Sequence, residues 1–214
     1  FHLFSNSCGN ERTTDIMTDT KIILASGSPR RAEILRNIGL DFEVRPTGAD
    51  ETIDPELSPT QMVCELAFRK AEEAVLHLSA SEEDALIIAA DTVVVYNGRI
   101  LGKPADEQDA YRMLKCLSGT VHAVYTGFTL AKNGFYFTEH ASTEVEFLPI
   151  KDDLIYRYIQ TGEPFDKAGA YGIQGKGSAL IRAIHGDYFN VMGLPVSALV
   201  SAARAQFDID LLGF

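Results

Sequence analysis

The chain has 214 residues, 46% of them hydrophobic, with a formal net charge of −11 and 3 cysteines. That length and apolar content suffice for a sizeable core in one domain or two closely packed lobes, and no apolar run approaches the roughly 20 residues needed to span a bilayer. The acidic balance argues against a nucleic-acid surface, which clusters Lys and Arg, and it requires that any anionic substrate meet cations placed locally.

Residues 1–16 are polar and aperiodic, so they are expected to be a disordered or expression-derived tail, with Met17 a credible natural start and residues 17–214 one domain of two lobes. Cys8, Cys64 and Cys116 have neither an even count nor metal-site spacing, which points to a reducing, cytoplasmic compartment. Ile22-Ile23-Leu24-Ala25 reads as a strand, Ser28 as an N-cap, Pro29 as the first helical residue, and Gly39 as the stop behind an apolar stripe of Ile34, Leu35 and Ile38. A strand, the small-residue turn at Ser26-Gly27-Ser28 and a helix start aim backbone N–H groups and the positive end of the helix dipole at one point, where Arg30 and Arg31 add charge. A phosphate fits there. An ordinary strand–helix connection with two solvated arginines has the same pattern, and the turn is neither a Walker A loop nor a GxGxxG fingerprint.

Ser58-Pro59 opens a second helix whose apolar face carries Val63, Leu66, Ala67, Ala71, Ala74, Val75 and Leu78. Lys70 falls inside that face, so its ammonium must either snorkel to water or meet an anion. Glu51, in Ala49-Asp50-Glu51, reads equally as a solvated loop acid or a ligand. Ala85 to Val95 would be one buried strand but for Asp91 in its middle. A buried carboxylate is costly unless a turn, a cation, a metal or a substrate partners it. Asn97-Gly98 then signals a type I′ hairpin that returns the chain beside this strand and delivers Lys103 toward the same end of the sheet. Asp106 caps a helix carrying Ala110, Met113, Leu114 and Leu117 and stopped at Gly119, and Asn133-Gly134 joins strands near 124–130 and 136–147. The glycine-rich stretch 162–178 reads as a substrate-covering loop, with a purely structural turn cluster as the alternative.

Six motifs occur in order: Leu24 to Arg31 (LASGSPRR), Ala90-Asp91-Thr92, Leu101-Gly102-Lys103-Pro104, Leu117-Ser118-Gly119 with His122 and Thr126-Gly127, Asp166 to Gly175 (DKAGAYGIQG), and Asn190 to Pro195 (NVMGLP). Together they resemble the Maf family of nucleoside triphosphate pyrophosphatases, and Arg30, Thr92 and Gln174 match the branch that hydrolyses dTTP and UTP. The resemblance implies an α/β fold with a mixed, largely antiparallel twisted sheet, flanking helices and two lobes around a central cleft, as in inosine triphosphate pyrophosphatases. It implies Asp91 as proton acceptor, Ser26, Arg31, Lys70 and Lys103 as phosphate contacts, and Arg30, Thr92, Gln174 and Lys167 as substrate-binding residues. It further implies Mg²⁺ or Mn²⁺ held by Glu51 and Asp91, with Asp91 bound through water or dividing its two oxygens between metal and proton, and a homodimer. The substrates would be dTTP, UTP and modified pyrimidine nucleotides, with neither nucleic acid nor membrane as partner. A nucleotide-binding regulator of cell division without turnover is the alternative. The full residue set favours the enzyme, because binding alone does not require a carboxylate beside a triphosphate.

Overall fold

The computed structural model describes residues 20–52, 54 and 56–212, so the expected tail at 1–16, Met17 and Cys8 lie outside it. Its sheet contains β1 (Ile22–Leu24), β2 (Glu43–Val44), β3 (Leu86–Tyr96), β4 (Arg99–Leu101), β5 (Val121–Lys132), β6 (Phe135–Phe147) and β7 (Ile181–His185). The spatial order is β2-β1-β3-β5-β6-β7, with β4 also on β3. β1 runs parallel to β2 and β3, and every other pair is antiparallel. The helices are α1 (Pro29–Asn37), α2 (Pro59–Leu76), α3 (Glu107–Leu117), α4 (Asp152–Ile159), α5 (Tyr188–Met192) and α6 (Val196–Phe207).

Local chemistry accounts for the boundaries. Both hairpins have positive φ at their central residues, 48° and 73° at Asn97 and Gly98 and 52° and 76° at Asn133 and Gly134, as type I′ turns require. The start of α2 is a capping box in which Ser58 Oγ accepts from Gln61 N at 3.3 Å and Gln61 Oε1 accepts from Ser58 N at 3.0 Å.

Strand alternation divides the core. The even-numbered residues Leu86, Ile88 and Ala90 face a cluster with Ile34 and Leu35 of α1 and Leu199 of α6, whereas Ile87 and Ala89 face Ala71 and Ala74 of α2. A third cluster lies farther along the sheet, where Val94, Val124 and Phe147 pack against α3 and α4. Helix α2 lies unusually close to β5. A Cβ built on Gly127 would collide with the Val63 carbonyl, so this position has room for glycine alone. Among the described residues Cys64 and Cys116 are free thiols, and no helix is long and apolar enough to cross a membrane.

His122 sits in the third cluster, 3% exposed, with its ring edge-on to Phe147 and Nε2 2.7 Å from the Tyr171 hydroxyl. Burial pushes its pKa down to about 4. Unfolding exposes the ring to water, where its pKa is near 6.5, so the unfolded chain binds more protons between those values and stability falls as pH drops through them. The loss is on the order of 3 kcal/mol once pH is below 4. Urea midpoints measured from pH 7.5 to 4.5 should therefore fall more steeply for the wild type than for His122→Gln; parallel slopes would refute this.

Candidate active site

The cleft originates in a gap along one edge of β3. β1 pairs with Leu86 to Ile88, β4 pairs with Val94 to Tyr96, and neither strand covers Ala89 to Val93. The turn after β1 faces that stretch instead, and the result is a cavity of 720 Å³. It is lined by Ser26, Arg30 and Arg31 from the turn and α1, Glu51 from the preceding loop of α2, Lys70 from α2 itself, Asp91 and Thr92 from β3, Lys103 from beyond β4, and Lys167. Gln174 is the remaining residue of the expected set, and it does not line the cavity.

Asp91 has the partner its burial demanded. Lys70 Nζ lies 2.6 Å from Asp91 Oδ1 and 2.8 Å from Glu51 Oε1, so one ammonium serves two carboxylates. The Lys70 and Asp91 side chains are 12% and 15% exposed, which makes this a largely buried pair, whereas Glu51 is 66% exposed. The hydrogen bond from Lys70 holds the Glu51 carboxyl below its ordinary range, with Lys103 and Arg31 adding to the effect. Lys70 therefore does not snorkel. Lys103 lines the same cavity and forms no ion pair among the described residues.

Ser26 and Arg31 are fixed by the turn. Ser26 Oγ accepts from Ser28 N at 3.2 Å and from Arg31 Nη1 at 3.0 Å. Two accepted bonds occupy the lone pairs of a hydroxyl, so Ser26 keeps its proton for another acceptor. Arg31 Nε donates to Gly193 O at 2.7 Å and Nη2 to Thr92 Oγ1 at 3.0 Å. Burial lowers the Arg31 pKa from its ordinary value, while the nearby Asp91 charge opposes that shift. Ser28 occupies the N-cap of α1 but makes no side-chain capping bond, which leaves first-turn N–H groups of the helix for an anion.

The expected substrate-binding residues are placed less uniformly. Thr92 does face away from Asp91, as alternation requires, yet its hydroxyl is engaged by Arg31 and, at 2.9 Å, by Thr126 Oγ1. Gln174 Nε2 donates to Glu33 Oε1 of α1 at 3.3 Å, at the rim of the cleft. Arg30 and Lys167 both bind Asp166, at 2.7 Å and 2.5 Å, so this carboxylate joins the start of α1 to the opposite wall. Burial would raise the Asp166 pKa, but the bonds from Lys167 and Arg30 outweigh it and hold the group below its usual range.

Sequence reasoning assigned no role to Asp166, Thr126 or Asn190. For Thr126 and Asn190 the signal was that of Asp91, a polar side chain inside an apolar segment, and both are 0% exposed. The stretch expected as a covering loop contains three short 3₁₀ turns, Glu163–Asp166, Ala168–Ala170 and Gly175–Leu180, and its residues from Asp166 to Ile173 contribute to the cavity lining. Glu163 ties it together by accepting from Tyr158 Oη at 2.9 Å, Lys176 N at 3.0 Å and Gly177 N at 2.9 Å.

Several known proteins are similar to this chain. A dTTP/UTP pyrophosphatase of Thermoanaerobacter sp. (strain X514) is 46% identical, covering 90% of this chain and 100% of its own length. Proteins described in the same words from Alkaliphilus oremlandii and Halalkalibacterium halodurans are 48% and 50% identical, over 90% and 86% of this chain and 99% and 95% of their own lengths. Among solved structures, that of the Staphylococcus aureus Ham1 protein is 16% identical with a TM-score of 0.45, over 76% of this chain and 80% of that one. The family model for Maf-like proteins matches residues 21–206. Because that match takes in every segment that lines the cleft, from the turn after β1 to Gly193, this chain belongs to the Maf family.

Proposed function

We propose that this chain is a nucleoside triphosphate pyrophosphatase that hydrolyses dTTP and UTP to the monophosphate and pyrophosphate. The observation that carries the reading is Asp91 paired at 2.6 Å with Lys70 in a cavity also lined by Ser26, Arg31 and Lys103. The relatives described as dTTP/UTP pyrophosphatases, 46–50% identical, support the choice of substrate.

Cleaving the bond between the α and β phosphates requires a water in line with the leaving pyrophosphate, a group to take its proton, and cations where charge accumulates. Asp91 is the proton acceptor. Lys70 orients it and holds its negative charge inside the fold until substrate arrives. Arg31 and Lys103 bind phosphate oxygens, and the Ser26 hydroxyl, with both lone pairs occupied, donates to another. Together they balance the charge that an acidic protein would otherwise repel.

Glu51 and Asp91 are the carboxylates that would hold a divalent cation, since both line the cavity and each has a second oxygen besides the one that meets Lys70 Nζ. Among the described residues no group of three or more His, Cys, Asp or Glu encloses an ion. Mg²⁺ and Mn²⁺ suit such a site, since one or two carboxylates suffice when substrate phosphates and water complete the shell. Bound there, the metal would supply Lewis-acid stabilisation of the phosphoryl oxygens.

Pyrophosphate release should be high with UTP and dTTP and low with ATP and GTP. A cleft that pairs its polar groups with one base edge leaves them unpaired with another. Steady-state kcat/KM for the four ribonucleotides and dTTP, with Mg²⁺, Mn²⁺ and chelator, tests both parts. A purine preferred over UTP would remove the substrate assignment and leave the pyrophosphatase reading standing. Absence of turnover with every nucleotide and metal would remove both.

A further inference from the structure

Arg31 is held by more than its immediate neighbours. Thr92 Oγ1, which accepts from Arg31 Nη2 at 3.0 Å, lies 2.9 Å from Thr126 Oγ1, and Thr126 Oγ1 lies 2.9 Å from the backbone oxygen of Asn190. A hydroxyl carries one proton, and a carbonyl oxygen only accepts. Thr126 must therefore give its proton to Asn190 O, so Thr92 must give its own to Thr126. The chain has one direction, from guanidinium through Thr92 and Thr126 to the Asn190 carbonyl.

Its far end is rigid. Asn190 is 0% exposed, and its Nδ2 donates to Val124 O of β5 and Thr143 Oγ1 of β6, each at 3.0 Å. The side chain is thus fastened to two adjacent strands, and the carbonyl that receives the chain sits on that anchor. At the near end, three of the five N–H donors of Arg31 are committed to Gly193 O, Ser26 Oγ and Thr92 Oγ1. One N–H on each terminal nitrogen remains for a ligand.

We infer that Thr126 is a positioning residue for Arg31: by taking the Thr92 proton it turns a Thr92 lone pair to the guanidinium and fixes the plane in which the two remaining N–H groups are presented to a phosphate. Thr126 touches no substrate. The same accounting leaves Thr92 with no proton for a base edge, so Thr92 serves Arg31 and does not read the base by donating to it. This inference rests on the reading of the cleft as a triphosphate site.

The test compares Thr126→Val, which keeps the shape and removes the hydroxyl, with Thr126→Ser, which keeps the hydroxyl, each in wild-type and Arg31→Lys backgrounds. With UTP as substrate, Thr126→Val should lower kcat/KM at least tenfold, and Thr126→Ser should stay within about threefold of wild type. In the Arg31→Lys background, where no planar fork remains to orient, Thr126→Val should add less than twofold. Exchange of the Arg31 Nε proton, read by NMR without substrate, should be at least tenfold faster in Thr126→Val. Near-normal kcat/KM in Thr126→Val, equal damage by Ser, or an additive effect with Arg31→Lys would overturn the proposal. If Thr126→Val does not fold, Thr92→Val breaks the same chain one link nearer the guanidinium and must give the same pattern. An inactive wild type would instead remove the pyrophosphatase reading, and the proton exchange then decides the positioning role alone, an unchanged rate overturning it.

Discussion

Asp91→Asn is expected to lower turnover by about 10³-fold or more while leaving the protein folded. The amide keeps the shape of the carboxylate and removes its basicity, and acid–base groups contribute rate factors of about 10² to 10⁴. Stability should change little, because Lys70 retains its 2.8 Å contact with Glu51 and is not left as a buried orphan charge. Substrate binding should persist or tighten, since one negative charge leaves a cavity that receives an anion. Single-turnover assays with a nucleotide-binding titration separate these effects, and near-wild-type hydrolysis by the variant would show that another group takes the proton.

Lys70→Ala should behave differently on both counts. Asp91 and Glu51 would lose the ammonium they share, and removing one partner of a largely buried pair costs about 3 kcal/mol or more. The melting temperature should therefore fall, and kcat/KM should drop by about 10²-fold or more. Lys103→Ala provides the contrast. It has no ion pair among the described residues to lose, so it should match Lys70→Ala in lost activity and keep the wild-type melting temperature. Equal melting temperatures for both variants would mean that the Lys70 bridge carries no structural weight, and a fall confined to KM would mean that the charge binds substrate and transition state alike.

Much of this site was legible because its signals were local. An Asp in an otherwise apolar strand and a Lys in an apolar helix face each needed a partner, and each turned out to be the other's, 21 residues apart. The turn at Ser26, the Asn-Gly hairpins and the Ser58 cap depend on a few adjacent residues, and their backbone geometry is as those residues require. What escaped the sequence depends on groups far apart in the chain. Asp166 meets Arg30 across 136 positions, and no pattern near Asp166 specifies that an arginine waits opposite. Gln174 carries an amide suited to a base edge, but whether that amide lies inside the cleft or on Glu33 at the rim is decided by the path of the whole wall. What the Thr92 hydroxyl can do depends on Thr126, 34 positions further along the chain, and on Asn190, 64 beyond that.

The bond from Arg31 Nε to Gly193 O closes a loop of 162 positions, and this ties the anion-binding turn to the far end of the domain. A domain generally folds as a unit, and pairings between distant segments are slow to form. β1, α1, α2 and β3 all precede in the chain the carbonyl that holds the guanidinium. A chain that stopped short of Gly193 would lack this carbonyl together with Leu194, Val196 and Leu199, which belong to the same core cluster as Ile34 and Leu35 of α1. The grip of Arg31 and the packing behind it are therefore completed by one and the same late segment of the domain.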